Sequence, residues 1–303
     1  MTDRDGSSTD SLDVATEVFA EHRNLLFTIA YEMLGSAVDA EDAVQETWLR
    51  WTAVDLETVR DRRAYLARIV SRQALTQLRT LGRRKEAYVG PWLPEPLVIT
   101  PDVADDVVLA DSVSTAMLLV LETLKPTERA VFVLREVFAF DYDEISEVVD
   151  KSQAAVRQIA HRARGHVADR RPREAVTDAE ADEVVDAFQR ALQTGDLQSL
   201  LDKLAPDVVL ISDGGGVKQA VLKPLKGARR VGKLLGAGFG ELGSRVSGRR
   251  ARVNGRPAFL LHLDGRLDTV ITMRIEGGQI TGLYAVRNPE KLDWMDREQV
   301  VAR

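Results

Sequence analysis

From Val14 to Leu34, apolar residues recur at helical spacing (Val18, Phe19, Leu25, Leu26, Ile29 and Met33) and predict an amphipathic helix. Gly35 closes it, and Ser36 is placed to cap the next one. That second helix, about Val38 to Trp51, is expected to bury Ala40, Ala43, Val44, Thr47 and Trp48. It leaves Asp39, Asp42, Gln45 and Glu46 on one polar face. A third helix, about Arg62 to Leu81, turns Tyr65, Leu66, Ile69 and Leu78 inward. Arg68, Arg72 and Arg79 align on its other side. Residues 14–85 therefore read as a helical domain with one acidic and one basic face.

The pattern breaks at Gly90-Pro-Trp-Leu-Pro-Glu-Pro96, followed by Pro101. Prolines so close together cannot continue a helix, so residues 86–111 read as an extended linker. Trp92, Leu93 and Leu97 are apolar where a bare spacer would be polar, and this predicts that the linker docks on something. Helical periodicity resumes from Ser112 to Leu124 and from Thr127 to Phe138. Asp141 and Glu144 form a capping box for a short helix, Tyr142 to Val149. A tight turn at Asp150-Lys151 leads to Ser152, which caps a last helix. There Val156, Ile159, Ala160 and Ala163 make the apolar stripe, opposite Ala154, Arg157, Gln158, His161 and Arg164. Residues 112–171 thus predict a helix-turn-helix domain with a polar, basic outer face.

Arg170 to Arg173 marks another boundary, and residues 177–292 follow a different pattern. An amphipathic helix (Val184, Val185, Phe188, Leu192) ends at Gly195, and a Leu-rich helix runs to Leu204. A strand, Val208 to Ser212, meets Asp213-Gly-Gly-Gly216, and a Gly-rich helix is expected over Ala228 to Leu242. Strands follow at Arg249–Val253, Ala258–Leu263, Leu267–Ile275 and Gln279–Val286. The turn pairs Asn254-Gly255, Asp264-Gly265 and Gly277-Gly278 separate them. A helical cap on a curved antiparallel sheet is the predicted architecture.

At 303 residues the chain suits two or three domains, and a hydrophobic content of 45% suits packed cores. With no cysteine, disulfides and thiolate metal sites are excluded. Met1 to Asp13 is Ser-, Thr- and Asp-rich and reads as a disordered tail, not a signal peptide. No apolar run approaches a membrane span, so a cytoplasmic protein is expected. The net charge of −6 hides strong segregation. Residues 1–59 carry −10, 60–85 carry +8, 86–150 carry −11 and 151–175 carry +5. A polyanion responds to local patches, so two separate nucleic-acid contacts are permitted.

The motifs resemble those of extracytoplasmic-function RNA polymerase sigma factors. Asp42-Ala-Val-Gln-Glu-Thr-Trp48 resembles region 2.2, which grips the polymerase clamp. Ala64-Tyr-Leu-Ala-Arg-Ile-Val70 and the Arg-rich stretch to Arg84 resemble regions 2.3 and 2.4. Leu124-Lys-Pro-Thr-Glu-Arg-Ala-Val-Phe-Val-Leu134, with its helix-turn-helix, resembles region 4. Trp92-Leu-Pro-Glu-Pro96, Asp213-Gly-Gly-Gly216 and Asn288-Pro-Glu-Lys-Leu292 are similar to motifs of a subgroup that carries a fused SnoaL-like domain.

The resemblance implies two all-α sigma domains followed by an α+β, nuclear-transport-factor-like conical half-barrel. It implies core RNA polymerase and promoter DNA as partners, with the C-terminal domain modulating activity in cis. Asp39, Asp42, Gln45 and Glu46 suit a basic polymerase surface. Arg62, Arg68, Arg72, Arg79, Arg83 and Arg84 suit phosphates beside an opened strand. Trp48 and Trp51 read as core, and no residue of the loop Thr52–Asp61 is singled out as capturing a flipped base. On the recognition helix capped by Ser152, Arg157 and Gln158 can reach base edges, and Arg164 can reach phosphate. His161 reads as a phosphate or backbone contact. The linker residues Trp92, Leu93 and Pro94 are expected to meet Asp213, Gly214, Gly215 and Gly216, together with Asn288, Pro289, Lys291 and Leu292.

Some SnoaL-like proteins are enzymes, and an isomerase or hydrolase fused to a DNA-binding module is the competing reading. Proton transfer needs convergent titratable groups, for which His262, Asp213, Asp268 and Tyr284 are the candidates. His262 reads better as a pocket or core histidine, and Asp213 as a turn former. No cofactor is implied, and no metal ligands stand at useful spacing. A receiver-type response regulator is disfavoured, since alternating strands and helices are missing.

Overall fold

The structure is a computed structural model that describes residues 5–99, 112–170, 177–296 and 298–299. They form two compact units. One comprises the chain up to Arg83 together with Leu121–Asp169; the other comprises Arg84–Val120 and Arg170–Gln299.

In the first unit, α1 (Asp5–Leu34) and α2 (Ala37–Trp51) form a hairpin. Gly35, at φ 69°, makes the reversal, and Ser36 caps α2 by accepting from Asp39 N at 3.2 Å. Met1 to Asp13 was expected to be a tail, yet from Asp5 onward it is helix. Ala15 is packed under Trp51, whose Nε1 donates to the Ala15 carbonyl at 2.9 Å. Acidic residues favour a helix N-terminus, so the helix grows outward from that anchor. Residues 1–4 lie outside the described ones. Trp48, expected to be buried, is half-buried and meets Phe19 edge-on at 5.1 Å; Trp51 takes the core position.

After a 3-10 turn at Leu56–Thr58, α3 spans Arg62–Glu86 and buries Leu66, Val70, Ala74 and Leu78. The remaining helices of this unit are α5 (Pro126–Phe132), α6 (Tyr142–Val149) and α7 (Gln153–Ala168). A π-helical turn, Val133–Val137, extends α5. The Asp141–Glu144 capping box opens α6, Asp150 closes it at φ 55°, and Ser152 caps α7. Arg129 on α5 is fully buried. Its Nε and Nη2 donate to the Glu32 carbonyl of α1 at 3.0 and 2.7 Å, and its Nη1 pairs with Glu122. Such a charge is tolerable inside only with its hydrogen bonds filled, so this contact fixes α5 against α1.

The second unit is built on one sheet. Its long strands are β2 (Leu204–Asp213), β4 (Val246–Val253), β5 (Arg256–Leu263), β6 (Arg266–Glu276) and β7 (Gln279–Val286). Two-residue strands β1 (Val98–Ile99), β3 (Leu225–Lys226) and β8 (Glu298–Gln299) complete the order β3-β2-β7-β6-β5-β4-β1-β8. The three expected hairpin turns have positive φ at both central residues, the type I′ geometry that suits strand twist. The sheet is not purely antiparallel as expected: β2 pairs parallel with β7, and β1 with β8. The chain leaves β2 through a helix and a three-hairpin meander, and so returns beside β2 in the same direction.

Helices α8 (Asp178–Thr194), α9 (Leu197–Lys203) and α10 (Ala228–Leu242) cover one face. Phe188, Leu210, Phe259, Ile271 and Leu283 form the core there. The other face is covered by the linker, by α4 (Thr115–Leu121) and by α11 (Pro289–Leu292). Leu93, Leu260, Val270, Tyr284, Val286 and Leu292 are buried on that side.

Candidate functional site

Residue alternation along β2 sends Ser212 to one face and Asp213 to the other. Asp213 is fully buried beneath the linker. Its Oδ1 accepts from the Tyr88 hydroxyl at 2.6 Å and from Gly215 N at 3.1 Å. Its Oδ2 accepts from Leu93 N at 2.8 Å and from Lys291 Nζ at 2.8 Å. Lys291 also donates to the Leu93 carbonyl at 2.6 Å, so both backbone groups of Leu93 are held. The ammonium lies 4.1 Å from the Trp92 ring centre and 4.9 Å from that of Tyr88. Asn288 caps α11 and donates to the Tyr88 hydroxyl at 2.9 Å. Pro289 is its first residue, and Leu292 joins the linker-side core. Burial, then the Asp213 carboxylate, push the Tyr88 hydroxyl far above its ordinary pKa.

The glycines are there for room. A Cβ on Gly215 would lie 2.5 Å from Asn288 Cγ, and one on Gly216 would lie 3.1 Å from Val89 Cβ. A Cβ on Gly214 would run into the Lys218 carbonyl. Further along, Leu93, Pro94 and Leu97 are buried. The Asn254 backbone N–H donates to the Leu97 carbonyl at 2.8 Å, its Oδ1 accepts from Leu97 N at 3.1 Å, and its Nδ2 donates to the Val113 carbonyl at 2.9 Å. The sequence motifs named Asp213, the glycines and Lys291 but missed Tyr88 and Asn254. Tyr88 is an aromatic just ahead of the prolines, a weak signal; Asn254 was masked by its role in a turn.

In the first unit, Asp42 and Gln45 are exposed, and Asp39 and Glu46 are half-exposed. Glu46 pairs with Arg50 one turn on, at 3.0 Å. Arg62 and Arg79 are exposed; Arg79 borders a groove with Lys125, Lys151 and Arg162. Arg68 and Arg72 are engaged instead. Arg68 pairs with Glu147 of α6, and Arg72 donates through Nε to the Glu147 carbonyl at 3.2 Å. Glu147 carried no sequence signal, since nothing local tells which partner a helix-surface carboxylate will meet. The side chains of Arg83 and Arg84 lie outside the described residues. Along α7, Ser152, Arg157, Gln158, His161 and Arg164 are all exposed. Arg157 lies over the Tyr142 ring at 5.5 Å, and Arg164 is 3.7 Å from Glu136.

The four candidate proton-transfer groups do not share one site. Tyr284 and Asp213 belong to the linker face, whereas His262 and Asp268 line a cavity on the other. Burial opposes the Asp268 charge, but hydrogen bonds from Lys218, Thr269 and Arg287, and the Arg287 charge, outweigh it and lower the carboxyl to about 2. A base so weak is poorly matched to proton abstraction near neutral pH.

Comparison with known proteins is consistent along the chain. The Sigma-70 region 2 model matches residues 18–84, and the Sigma-70 region 4 model matches residues 114–167. The ECF RNA polymerase sigma factor SigJ of Mycobacterium tuberculosis is 35% identical over 289 residues, covering 90% of this chain and 91% of SigJ. The probable ECF sigma factor SigI of the same species is 32% identical over 284 residues, covering 93% of this chain and 96% of SigI. The crystal structure of M. tuberculosis SigJ superposes with a TM-score of 0.73 at 31% identity, covering 92% of this chain and 98% of that one.

Proposed function

The chain belongs to the family of extracytoplasmic-function RNA polymerase sigma factors, and from that premise we propose that its SnoaL-like domain governs the sigma regions by gripping the linker between them. As a sigma factor it directs core RNA polymerase to promoter DNA, and it acts where the polymerase is, in the cytoplasm. No described helix is long and apolar enough to cross a membrane. The face of Asp39, Asp42, Gln45 and Glu46 meets the polymerase. Arg62, Arg68, Arg72 and Arg79 follow the promoter backbone, joined by Arg83 and Arg84. Ser152, Arg157, Gln158, His161 and Arg164 face the upstream element.

The observation that carries the regulatory reading is the four-bond embrace of Asp213, which ties Tyr88, Leu93 and Lys291 into one buried cluster. A linker so held has its conformation set by the domain it crosses, and the two sigma regions hang from its ends. A few kcal/mol of differential contact between held and released states is enough to shift their populations. Catalysis by the SnoaL-like domain is not part of this reading, because its titratable groups are divided between two faces. Run-off transcription with the core enzyme, comparing the intact chain with Asp213→Ala at equal folded concentration, tests it. A changed yield is expected; identical transcription would rule out control through the linker.

A further inference from the structure

The strands that hold the linker on one face line a cavity on the other. Ser212 borders the cavity while Asp213, its neighbour, grips the linker. Past the end of β7, the Arg287 side chain borders the cavity, while its backbone N–H donates to the Asp213 carbonyl at 2.7 Å. Asn288 N donates to the same carbonyl at 3.0 Å.

The cavity measures about 510 Å³, within the ~300–1,000 Å³ usual for small-molecule sites. Leu210, Ile271 and Leu283 give it an apolar floor continuous with the core. Its polar lining includes Arg287, Asp268, Gln219 and His262. The charged groups there are unequally satisfied. Asp268 accepts from Lys218 Nζ at 2.9 Å, from Arg287 Nη2 at 2.9 Å and Nε at 3.3 Å, and from Thr269 Oγ1 at 2.7 Å. Its acceptor capacity is spent. Arg287 uses those two N–H groups and a third on the Gln219 carbonyl at 2.6 Å, out of the five a guanidinium carries. Within this pair the spare capacity is therefore on the guanidinium, and Glu241, the other carboxylate of the lining, is exposed.

We propose that this cavity binds an apolar molecule ending in a carboxylate, and that its occupancy alters the hold of the sheet on the linker. An incoming carboxylate takes the remaining guanidinium N–H groups in a charge-assisted bond, while the apolar body lies on Leu210, Ile271 and Leu283. Drawing Arg287 toward the ligand moves the 287–288 backbone that bonds to the Asp213 carbonyl, and with it the carboxylate that holds Tyr88 and Leu93. This second half rests on the linker reading above.

The test uses the intact chain with decanoate, decanol and decylamine as probes. Calorimetry reads binding, and hydrogen exchange at Leu93 and Leu97 reads the linker. Saturable binding of one decanoate per chain is expected, with decanol and decylamine at least about tenfold weaker. Arg287→Gln should lose about tenfold in decanoate affinity. Should that variant fold poorly, Leu234→Trp, on α10 at the cavity, should weaken decanoate by a similar factor by filling the space. No saturable binding, equal affinity for the three probes, or indifference to Leu234→Trp would overturn the site. Decanoate bound with linker exchange unchanged would overturn the coupling. The linker reading fails separately if Asp213→Ala leaves exchange at Leu93 unchanged without any ligand.

Discussion

Lys291 Nζ lies 2.8 Å from Asp213 Oδ2, with the two side chains only 7% and 0% exposed. Each charge is compensated inside the domain by the other, and the linker backbone completes the arrangement through Leu93. Buried pairs of this kind add little over a well-packed apolar pair, but losing one partner strands the other.

Lys291→Met should therefore destabilise the sheet unit by about 3 kcal/mol, and Asp213→Ala by a similar amount. The double substitution should cost clearly less than the sum of the singles, because it strands no charge. Chemical unfolding of the four proteins measures this directly. Strict additivity would mean that the two groups do not compensate each other.

Glu147 covers part of the basic face of α3 through Arg68 and Arg72. Glu147→Lys removes the carboxylate that holds Arg68 while leaving the carbonyl that holds Arg72, and is expected to raise affinity for single-stranded DNA by about threefold at low salt, since an exposed pair is worth ~1 kcal/mol or less. The advantage should shrink as salt rises. Fluorescence anisotropy with a short oligonucleotide decides the matter, and unchanged binding would show that α6 does not compete for that face.

Arg157 and Arg79 should behave differently on promoter DNA. Arg157→Ala is expected to lose ~1–3 kcal/mol of discrimination between promoter and random sequence. Arg79→Ala should weaken both equally and flatten the salt dependence. Competition assays with polymerase holoenzyme at two salt concentrations separate the two. Equal losses from both variants on both DNAs would remove the distinction.

Stability should respond to pH from both ends. Tyr88 keeps its proton in the fold, whereas the unfolded chain releases it above about pH 10. Its contribution is complete below that value and is lost as pH rises beyond it. Asp268, lowered to about 2, acts in the opposite sense. It stabilises above the ordinary carboxylate value near 4 and loses that contribution as pH falls toward about 2. Tyr88→Phe should flatten the alkaline limb of the stability profile, and Asp268→Asn the acid limb. Profiles parallel to that of the unaltered chain would refute both assignments.

Much of this architecture is readable along the chain because it is local. Caps at Ser36, Asp141 and Ser152, the turn pairs at Asn254, Asp264 and Gly277, and the apolar stripe of α7 depend on neighbours within a few residues. What escapes a reading by period depends on distant partners. Strands β1, β3 and β8 are two residues long and exist through their pairing alone. Both Trp48 and Trp51 read as core, but only Trp51 is fully buried, with the Ala15 carbonyl accepting from its Nε1 36 residues away, while Trp48 is half-buried against Phe19. Asp213 looks like a turn former beside three glycines, and its carboxylate acquires a different purpose once the linker brings Leu93 N–H to it.

Asn254 acts as a staple. One side chain and its own amide fasten Leu97 on one side and Val113 on the other, so two points of the connection meet at one residue. The separation of those two points is then independent of how many residues lie between them. Closing a longer loop costs only about 0.6 kcal/mol for each doubling. Leu97 and Val113 therefore keep their positions if residues are gained or lost between them. The reach of the connection is set by an asparagine in a distant hairpin turn and not by the number of residues it spans.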